Sequence, residues 1–167
     1  LKCTVYINSL DNLKRVLIIA GYLKKKIMIS IECETGMNRL GIEENDIDKA
    51  LEIIKKYKEF VDLQYLGTHC GRVDDSVENK EMLEAQKNIF TEIKNKFKSF
   101  FPNIKTHAFA TGGMFSFKHN EFDMVRCGSA LYGLWKNNEF KEKHQGSSVF
   151  LNQVIKITAG IIHIKEV

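Results

Sequence analysis

Short runs rich in β-branched residues alternate along this chain with segments of helical periodicity. We predict strands at CTVYI (3–7), KIMISIEC (26–33), VDLQYLGTH (61–69) and NIKTHAFA (103–110). The segments between them carry apolar residues at helical spacing. This alternation is typical of a parallel sheet covered by helices. We therefore expect an α/β fold.

The helices and one further strand follow from capping residues and periodicity. Ser9 is a predicted N-cap with Asp11 in the first turn of the helix that it opens. The residues predicted to share one face of that helix are Leu10, Leu13, Leu17 and Ala20. Further helices are predicted over 45–60 and 77–97, and FDMVRCGSALYG (122–133) is predicted as a strand that ends in a glycine turn.

Polar residues and glycines follow the strands, which is where a (β/α)8 barrel carries its active site. Four or five strands cannot close such a barrel, which takes about 250 residues. The chain also begins at Leu1 and enters a strand at once. We therefore predict a fragment: the C-terminal part of a (β/α)8 TIM-type barrel over residues 1–145, followed by the beginning of a β-domain over 146–167, where helical patterns stop.

Charge and cysteine content exclude several classes of protein. The net charge of +4 comes from lysines interspersed with acidic residues, which is typical of a solvated surface and predicts no nucleic-acid partner. No apolar run reaches the length of about 20 residues that a membrane span needs, so no membrane partner is expected. Four distant cysteines without CxxC or Cys/His spacing predict neither a metal site nor a disulfide, and favour a cytoplasmic protein.

The residues that follow the strands include two arginines and two histidines. The candidate set is Glu32, Glu34, Arg39, His69, His107, Thr111, Gly112, Gly113, Arg126, Gly128 and Ser129. A histidine at a strand end is more commonly structural than catalytic, and a glycine turn is usually only a turn. An arginine at such a rim is more informative, because its permanent charge requires a carboxylate, a phosphate or a polarised ring nitrogen as partner.

Four segments carry a family resemblance. ECETGMNRLG (32–41), YLGTHCGRVDD (65–75), THAFATGG (106–113) and FDMVRCGSALYG (122–133) resemble the alanine racemases, which are fold type III pyridoxal-phosphate enzymes. The resemblance implies an enzyme that uses pyridoxal 5'-phosphate to interconvert L- and D-alanine, supplies D-alanine for peptidoglycan and forms a homodimer. It also implies that the lysine that carries the cofactor and a catalytic tyrosine lie outside this chain.

The same resemblance assigns roles to the catalytic and substrate-binding positions. Arg126 matches the arginine that bonds the pyridine nitrogen of the cofactor, and it forms the catalytic set together with His69. His69 and His107 match histidines that join this arginine in a hydrogen-bonded network. Arg39 matches the arginine that reaches the phenolic oxygen of the cofactor and the substrate carboxylate. Glu32 stands where many relatives carry a carbamylated lysine, and we expect it to support Arg39.

The phosphate of the cofactor is assigned to small residues at two strand ends. The positions that resemble this cradle are Thr111, Gly112, Gly128 and Ser129. Glu34 corresponds to a family aspartate and is expected to be structural or functional with equal weight.

Three other interpretations stay open on the sequence alone. One is a racemase of serine or another small amino acid, since part of the substrate pocket lies outside this chain. Another is a non-catalytic remnant of a split or degraded gene. A third is a generic α/β binding module that takes no pyridoxal phosphate.

Overall fold

A computed structural model describes residues 3–71, 77–116, 121–144, 146 and 150–165. The chain divides into two compact units, Leu1–Arg126 and Cys127–Val167. The boundary between these compact units follows Arg126, whereas the predicted domain boundary follows residue 145.

The first unit is built on a sheet of four parallel strands in the order β1-β2-β3-β4. The strands are β1 (Val5–Ile7), β2 (Ile27–Cys33), β3 (Val61–Thr68) and β4 (Lys105–His107). Each lies within a run that the sequence analysis predicted as a strand, so these four predictions and the α/β class are confirmed.

The three predicted helices are present in the predicted order, and a short fourth helix follows β4. They are α1 (Leu10–Leu23), α2 (Ile47–Lys56), α3 (Val77–Lys98) and α4 (Thr111–Ser116), with a 3-10 turn at Glu44–Asp46 before α2. The predicted cap of α1 is confirmed, because the Ser9 hydroxyl accepts a hydrogen bond from the backbone N–H of Asn12 at 3.1 Å.

The two faces of the sheet differ in chemistry. Ile7, Ile31 and Leu66 occupy one row of the register and are fully buried in the apolar core. Tyr6, Ser30 and Tyr65 form the neighbouring row. Because side chains alternate between the faces of a strand, this second row lies on the opposite face. The sheet therefore has one apolar face and one face that carries hydroxyl groups.

The strand predicted over 122–133 is wrong. Within this segment the structure has a single parallel bridge, between Met124 and His107. The Asp123 carboxylate accepts hydrogen bonds from the backbone N–H and the hydroxyl of Thr106, both at 2.7 Å, and Arg126 N–H donates to the Phe109 carbonyl at 2.9 Å. Side-chain bonds and isolated backbone bonds replace a continuous ladder, yet they still fix Arg126 beside the end of β4.

The second unit contains a 3-10 turn at Ser129–Tyr132 and helix α5 (Asn138–His144), which buries Phe140. The described residues 150–165 form no strand. These residues are almost all exposed and make no strand pairing that would test the predicted β-domain. The β-domain over 146–167 therefore stays a prediction. In the described part of the chain, no helix is long and apolar enough to span a membrane.

Candidate active site at the carboxyl edge of the sheet

The guanidinium of Arg126 is the centre of a hydrogen-bonded cluster. Its Nη2 donates to the Thr68 carbonyl at 2.8 Å, to His69 Nδ1 at 3.1 Å and to Glu32 Oε1 at 3.3 Å. Its Nη1 donates to the Tyr6 hydroxyl at 3.2 Å. Three of the predicted site residues, Glu32, His69 and Arg126, therefore meet at the carboxyl edge of the sheet.

Tyr6 is the site residue that sequence reasoning missed. Its hydroxyl donates to Glu32 Oε2 at 2.9 Å and lies 3.1 Å from His107 Nε2. It thereby links His107, another predicted site residue, to Glu32 and Arg126. The available signal was alternation along CTVYI: Val5 and Ile7 face the core, so the tyrosine between them must face the other side.

The directions of these hydrogen bonds fix the tautomers of both histidines. A guanidinium only donates, so His69 Nδ1 must accept from Arg126. The single hydroxyl proton of Tyr6 is given to Glu32, so His107 Nε2–H must donate to Tyr6. This leaves Nδ1 of His107 as an acceptor, and it is buried without a partner among the described residues.

Burial and nearby cations keep these histidines neutral. Burial first, and then the positive charges of Arg126 and Arg39, lower the pKa of His69 below its ordinary value. Burial and Arg126 lower the pKa of His107 to about 4. Burial and the carboxylate of Glu32 raise the pKa of Tyr6, so its hydroxyl keeps its proton at neutral pH. The cluster is therefore a network of hydrogen bonds with fixed directions around one cation.

The lowered pKa of His107 predicts a pH-dependent stability. Between pH 6.5 and about 4 the unfolded chain binds a proton at this histidine that the folded chain excludes. The free energy of unfolding should therefore fall as the pH falls through this window, by about 3 kcal/mol in total. Urea unfolding of the apo form of the full-length protein at pH 6.5, 5.5 and 4.5 should show this slope, and His107→Asn should make it shallower while the contribution of His69 remains. Equal slopes in both proteins would contradict the assignment.

The loop after β2 carries Arg39 and is built around Glu34. The buried Glu34 carboxylate accepts the backbone N–H groups of Gly36 at 2.5 Å and Arg39 at 3.1 Å. Burial alone would raise the pKa of Glu34. The backbone N–H donors, which include those of Asn38 and Met37, lower it by more, so the pKa of Glu34 lies below its usual range. Glu34 is therefore the anion that organises this loop.

The base of the same loop is closed by backbone bonds. Ile42 N–H donates to the Glu32 carbonyl at 2.8 Å, and Glu34 N–H donates to the Ile42 carbonyl at 3.0 Å. Gly41 makes this return possible, since its φ is +148° and a Cβ there would overlap the backbone of Cys33 and Glu34.

The predicted support of Arg39 by Glu32 is corrected by the structure. Glu32 lies on β2 with its carboxylate turned to Tyr6 and Arg126, whereas Arg39 is exposed on the loop beyond the strand. The carboxylate therefore pairs with a different arginine from the one predicted. Arg39 still acts on the cluster, because its charge contributes to the lowered pKa of His69.

A glycine provides the space for the His107 ring. Glu32, Gly67 and His107 occupy one row of the sheet register. A Cβ added at Gly67 would overlap the ring of His107. The small residue between the carboxylate and the imidazole is therefore a packing requirement of the site.

One donor of the cluster is unsatisfied. The Nε–H of Arg126 is buried and, in the described ranges, has no hydrogen-bond partner. A buried donor without an acceptor is costly, so such a group calls for an explanation, such as a catalytic role or a bound water or ion. This N–H has the capacity to donate one hydrogen bond, for example to a ring nitrogen.

Comparison with known families decides where the chain belongs. The family model described as "Alanine racemase, N-terminal domain" matches residues 1–136. The chain belongs to the alanine racemase family.

Curated alanine racemases match most of the chain. The alanine racemase of Rickettsia felis is 31% identical over 169 residues, covering 94% of this chain and 33% of the relative. That of Helicobacter acinonychis is 30% identical over 161 residues, covering 86% of this chain and 38% of the relative. The chain therefore spans about a third of the length of these alanine racemases.

Solved alanine racemases share the fold. The Clostridium difficile 630 enzyme has a TM-score of 0.75 at 22% identity, covering 91% of this chain and 38% of that one. The Bartonella henselae enzyme, described with covalently bound pyridoxal phosphate, has a TM-score of 0.69 at 22% identity, covering 91% of this chain and 40% of that one. The predicted alanine racemase barrel fold is thereby confirmed.

The predicted phosphate residues of this alanine racemase segment are divided between the units. Thr111 and Gly112 begin helix α4 directly after β4. Gly128 and Ser129 belong to the second unit, at the start of its 3-10 turn. The phosphate cradle therefore stays a prediction.

Proposed function

We propose that the full-length protein is a pyridoxal-phosphate-dependent alanine racemase that interconverts L- and D-alanine. Family membership supports the reaction class. The observation that carries the proposal is the Arg126 guanidinium, anchored by Glu32, His69 and the Thr68 carbonyl, with a buried Nε–H that has no partner among the described residues. Because the chain spans about a third of its relatives, the activity is proposed for the complete protein.

Arg126 fits the ring nitrogen of pyridoxal phosphate. When bound, the cofactor would supply an electron sink that makes the Cα–H of an amino acid acidic. A guanidinium has a pKa above about 12, so it donates a hydrogen bond to the ring nitrogen without protonating it. An unprotonated ring is a weaker sink, which favours return of a proton to Cα over transamination. The identity of this residue therefore favours racemisation.

The other residues bind and orient. His69 Nδ1 accepts a hydrogen bond from Arg126. We therefore assign His69 to holding the guanidinium, and not to taking a proton at Nδ1. His107 is assigned to the same network through Tyr6. Arg39 is proposed to bind the substrate carboxylate and the phenolic oxygen of the cofactor.

Binding of the phosphate and assembly of the subunits complete the proposal. The phosphate is assigned to Thr111 and Gly112, which begin α4 directly after β4. Their small side chains would let the backbone approach an anion closely. A homodimer is proposed for the complete enzyme.

The proposal is tested with the full-length protein and pyridoxal phosphate. L-alanine and D-alanine are supplied in separate reactions, and circular dichroism of the amino acid is followed to equilibrium. We expect both reactions to converge on the racemic mixture. Faster conversion of serine would change the substrate, and a bound cofactor without turnover of either amino acid would indicate a non-catalytic remnant. Failure to bind pyridoxal phosphate would overturn the proposal.

A further inference from the structure

We propose that Tyr6 and Glu32 form a clamp that fixes both terminal nitrogens of Arg126 and thereby presents its Nε–H to the ring nitrogen of the cofactor. This Tyr6–Glu32 clamp rests on the proposed function and adds two positioning residues to it.

The clamp is a closed set of hydrogen bonds. Tyr6 Oη accepts from Arg126 Nη1 at 3.2 Å and donates to Glu32 Oε2 at 2.9 Å, while Glu32 Oε1 accepts from Arg126 Nη2 at 3.3 Å. Two side chains and the guanidinium therefore bond one another in a ring. Because both Nη atoms are held, rotation of the planar guanidinium is restricted, and Nε is the nitrogen of this group that has no partner among the described residues.

The clamp is mounted on rigid elements. Tyr6 lies on β1 and Glu32 on the adjacent β2, and Tyr6 pairs in register with Ser30, two residues before Glu32. Both side chains therefore project from the same face of the sheet. Glu32 is 4% exposed, so little water competes for its carboxylate. Groups held on neighbouring strands keep their separation better than groups on loops.

The chemistry of each member suits a positioning role. The Tyr6 hydroxyl keeps its proton, so its one donor stays directed at Glu32. The Glu32 carboxylate accepts from both partners at once, which a neutral amide could do with only one oxygen. The Glu32 carboxylate also stabilises the positive charge of Arg126. In this arrangement the arginine, and not the carboxylate, faces the ring nitrogen.

The clamp gives the carboxylate at position 32 a role. The family resemblance predicts that Glu32 holds Arg39, but the loop of Arg39 is already organised by Glu34. Glu32 is therefore free to serve the other arginine. Glu32 on β2 would thus orient the Arg126 guanidinium, while Glu34 just after β2 holds the backbone of the loop that carries Arg39.

The test compares pyridoxal phosphate with an analogue that has carbon in place of the ring nitrogen. Dissociation constants are measured by absorbance titration of the apo form of the full-length protein, for wild type, Tyr6→Phe and Glu32→Gln. Tyr6→Phe removes only the hydroxyl, and Tyr22→Phe, which alters an exposed tyrosine on α1, is the matched control. We expect each clamp variant to weaken pyridoxal phosphate about tenfold, as for one hydrogen bond to a charged group.

The analogue separates positioning from a general structural effect. It cannot accept a hydrogen bond from Nε–H, so the clamp variants should bind it within about twofold of wild type. Equal losses for both ligands, or no loss for either, would overturn the inference. Tyr22→Phe should change neither dissociation constant.

A second measurement does not depend on the cofactor. If wild type fails to bind pyridoxal phosphate, the proposed function fails, and the clamp is judged by a double-mutant cycle of Tyr6→Phe and Arg126→Lys in urea unfolding. We expect the combined change in the unfolding equilibrium constant to differ from the product of the single changes by about threefold or more. Additive changes would show that the two residues are not coupled and would overturn the clamp.

Discussion

Replacing Arg126 with methionine is expected to lower the free energy of unfolding of the full-length apo protein by about 2–4 kcal/mol. The substitution leaves the Glu32 carboxylate buried without its cation, and losing one partner of a buried pair costs about 3–5 kcal/mol. We expect a somewhat smaller loss than for a fully buried pair because the Arg126 side chain is 35% exposed, whereas that of Glu32 is 6% exposed. Urea unfolding at pH 8, where both histidines are neutral in the folded and unfolded chain, measures the loss.

A second substitution distinguishes a stranded charge from lost packing. Glu32→Gln in the Arg126→Met background removes the unpaired anion, so the double variant should recover part of the lost stability. A double variant that is less stable than Arg126→Met alone would contradict the pairing of these two residues.

Stability and activity should separate in this pair of variants. Neither variant has a donor for the ring nitrogen, so racemisation of alanine should stay lower by a factor on the order of a hundred or more in both. If the double variant recovered activity together with stability, Arg126 would be a structural residue only, and the proposed function would lose its main support.

The fold could be predicted because its signals are local. β-branched runs and helical periodicity mark β1 to β4 and the helices between them, and the Ser9 cap lies next to the helix that it opens. The strand prediction over 122–133 failed because this segment bonds the β4 region only through the carbonyls of Thr106 and Phe109, and not through a continuous ladder. Such partners are set by tertiary packing, which residue type alone does not reveal.

The sequence predicts which residues lie at the edge of the sheet, but it does not predict which of them bond one another. The rule that parallel strands end at one edge brings Glu32, His69 and His107 together. It does not say which arginine Glu32 meets, since that depends on the register of β1 and β2 and on where the segment of Arg126 runs. Tyr6 was missed for the same reason: its role depends on the row of the register that it shares with Ser30.

Gly41→Ala is expected to have the second large effect, by displacing the loop that carries Arg39. A side chain at φ +148° is strained by about 1–3 kcal/mol. In addition, the new Cβ would overlap the backbone of Cys33 and Glu34, so the loop base must open. We therefore expect a loss of at least about 3 kcal/mol in the free energy of unfolding.

The matched control is Gly146→Ala, which separates strain from displacement. Gly146 also has a positive φ, +102°, but a Cβ there meets nothing within 4 Å. This substitution should cost only about 1–2 kcal/mol and leave racemisation unchanged. Gly41→Ala should in addition lower kcat/KM for alanine by about tenfold to a hundredfold, mainly through a higher KM, because Arg39 is the proposed partner of the substrate carboxylate. Equal effects of the two substitutions would mean that the geometry of this loop does not position Arg39, and the substrate role of that arginine would then need another explanation.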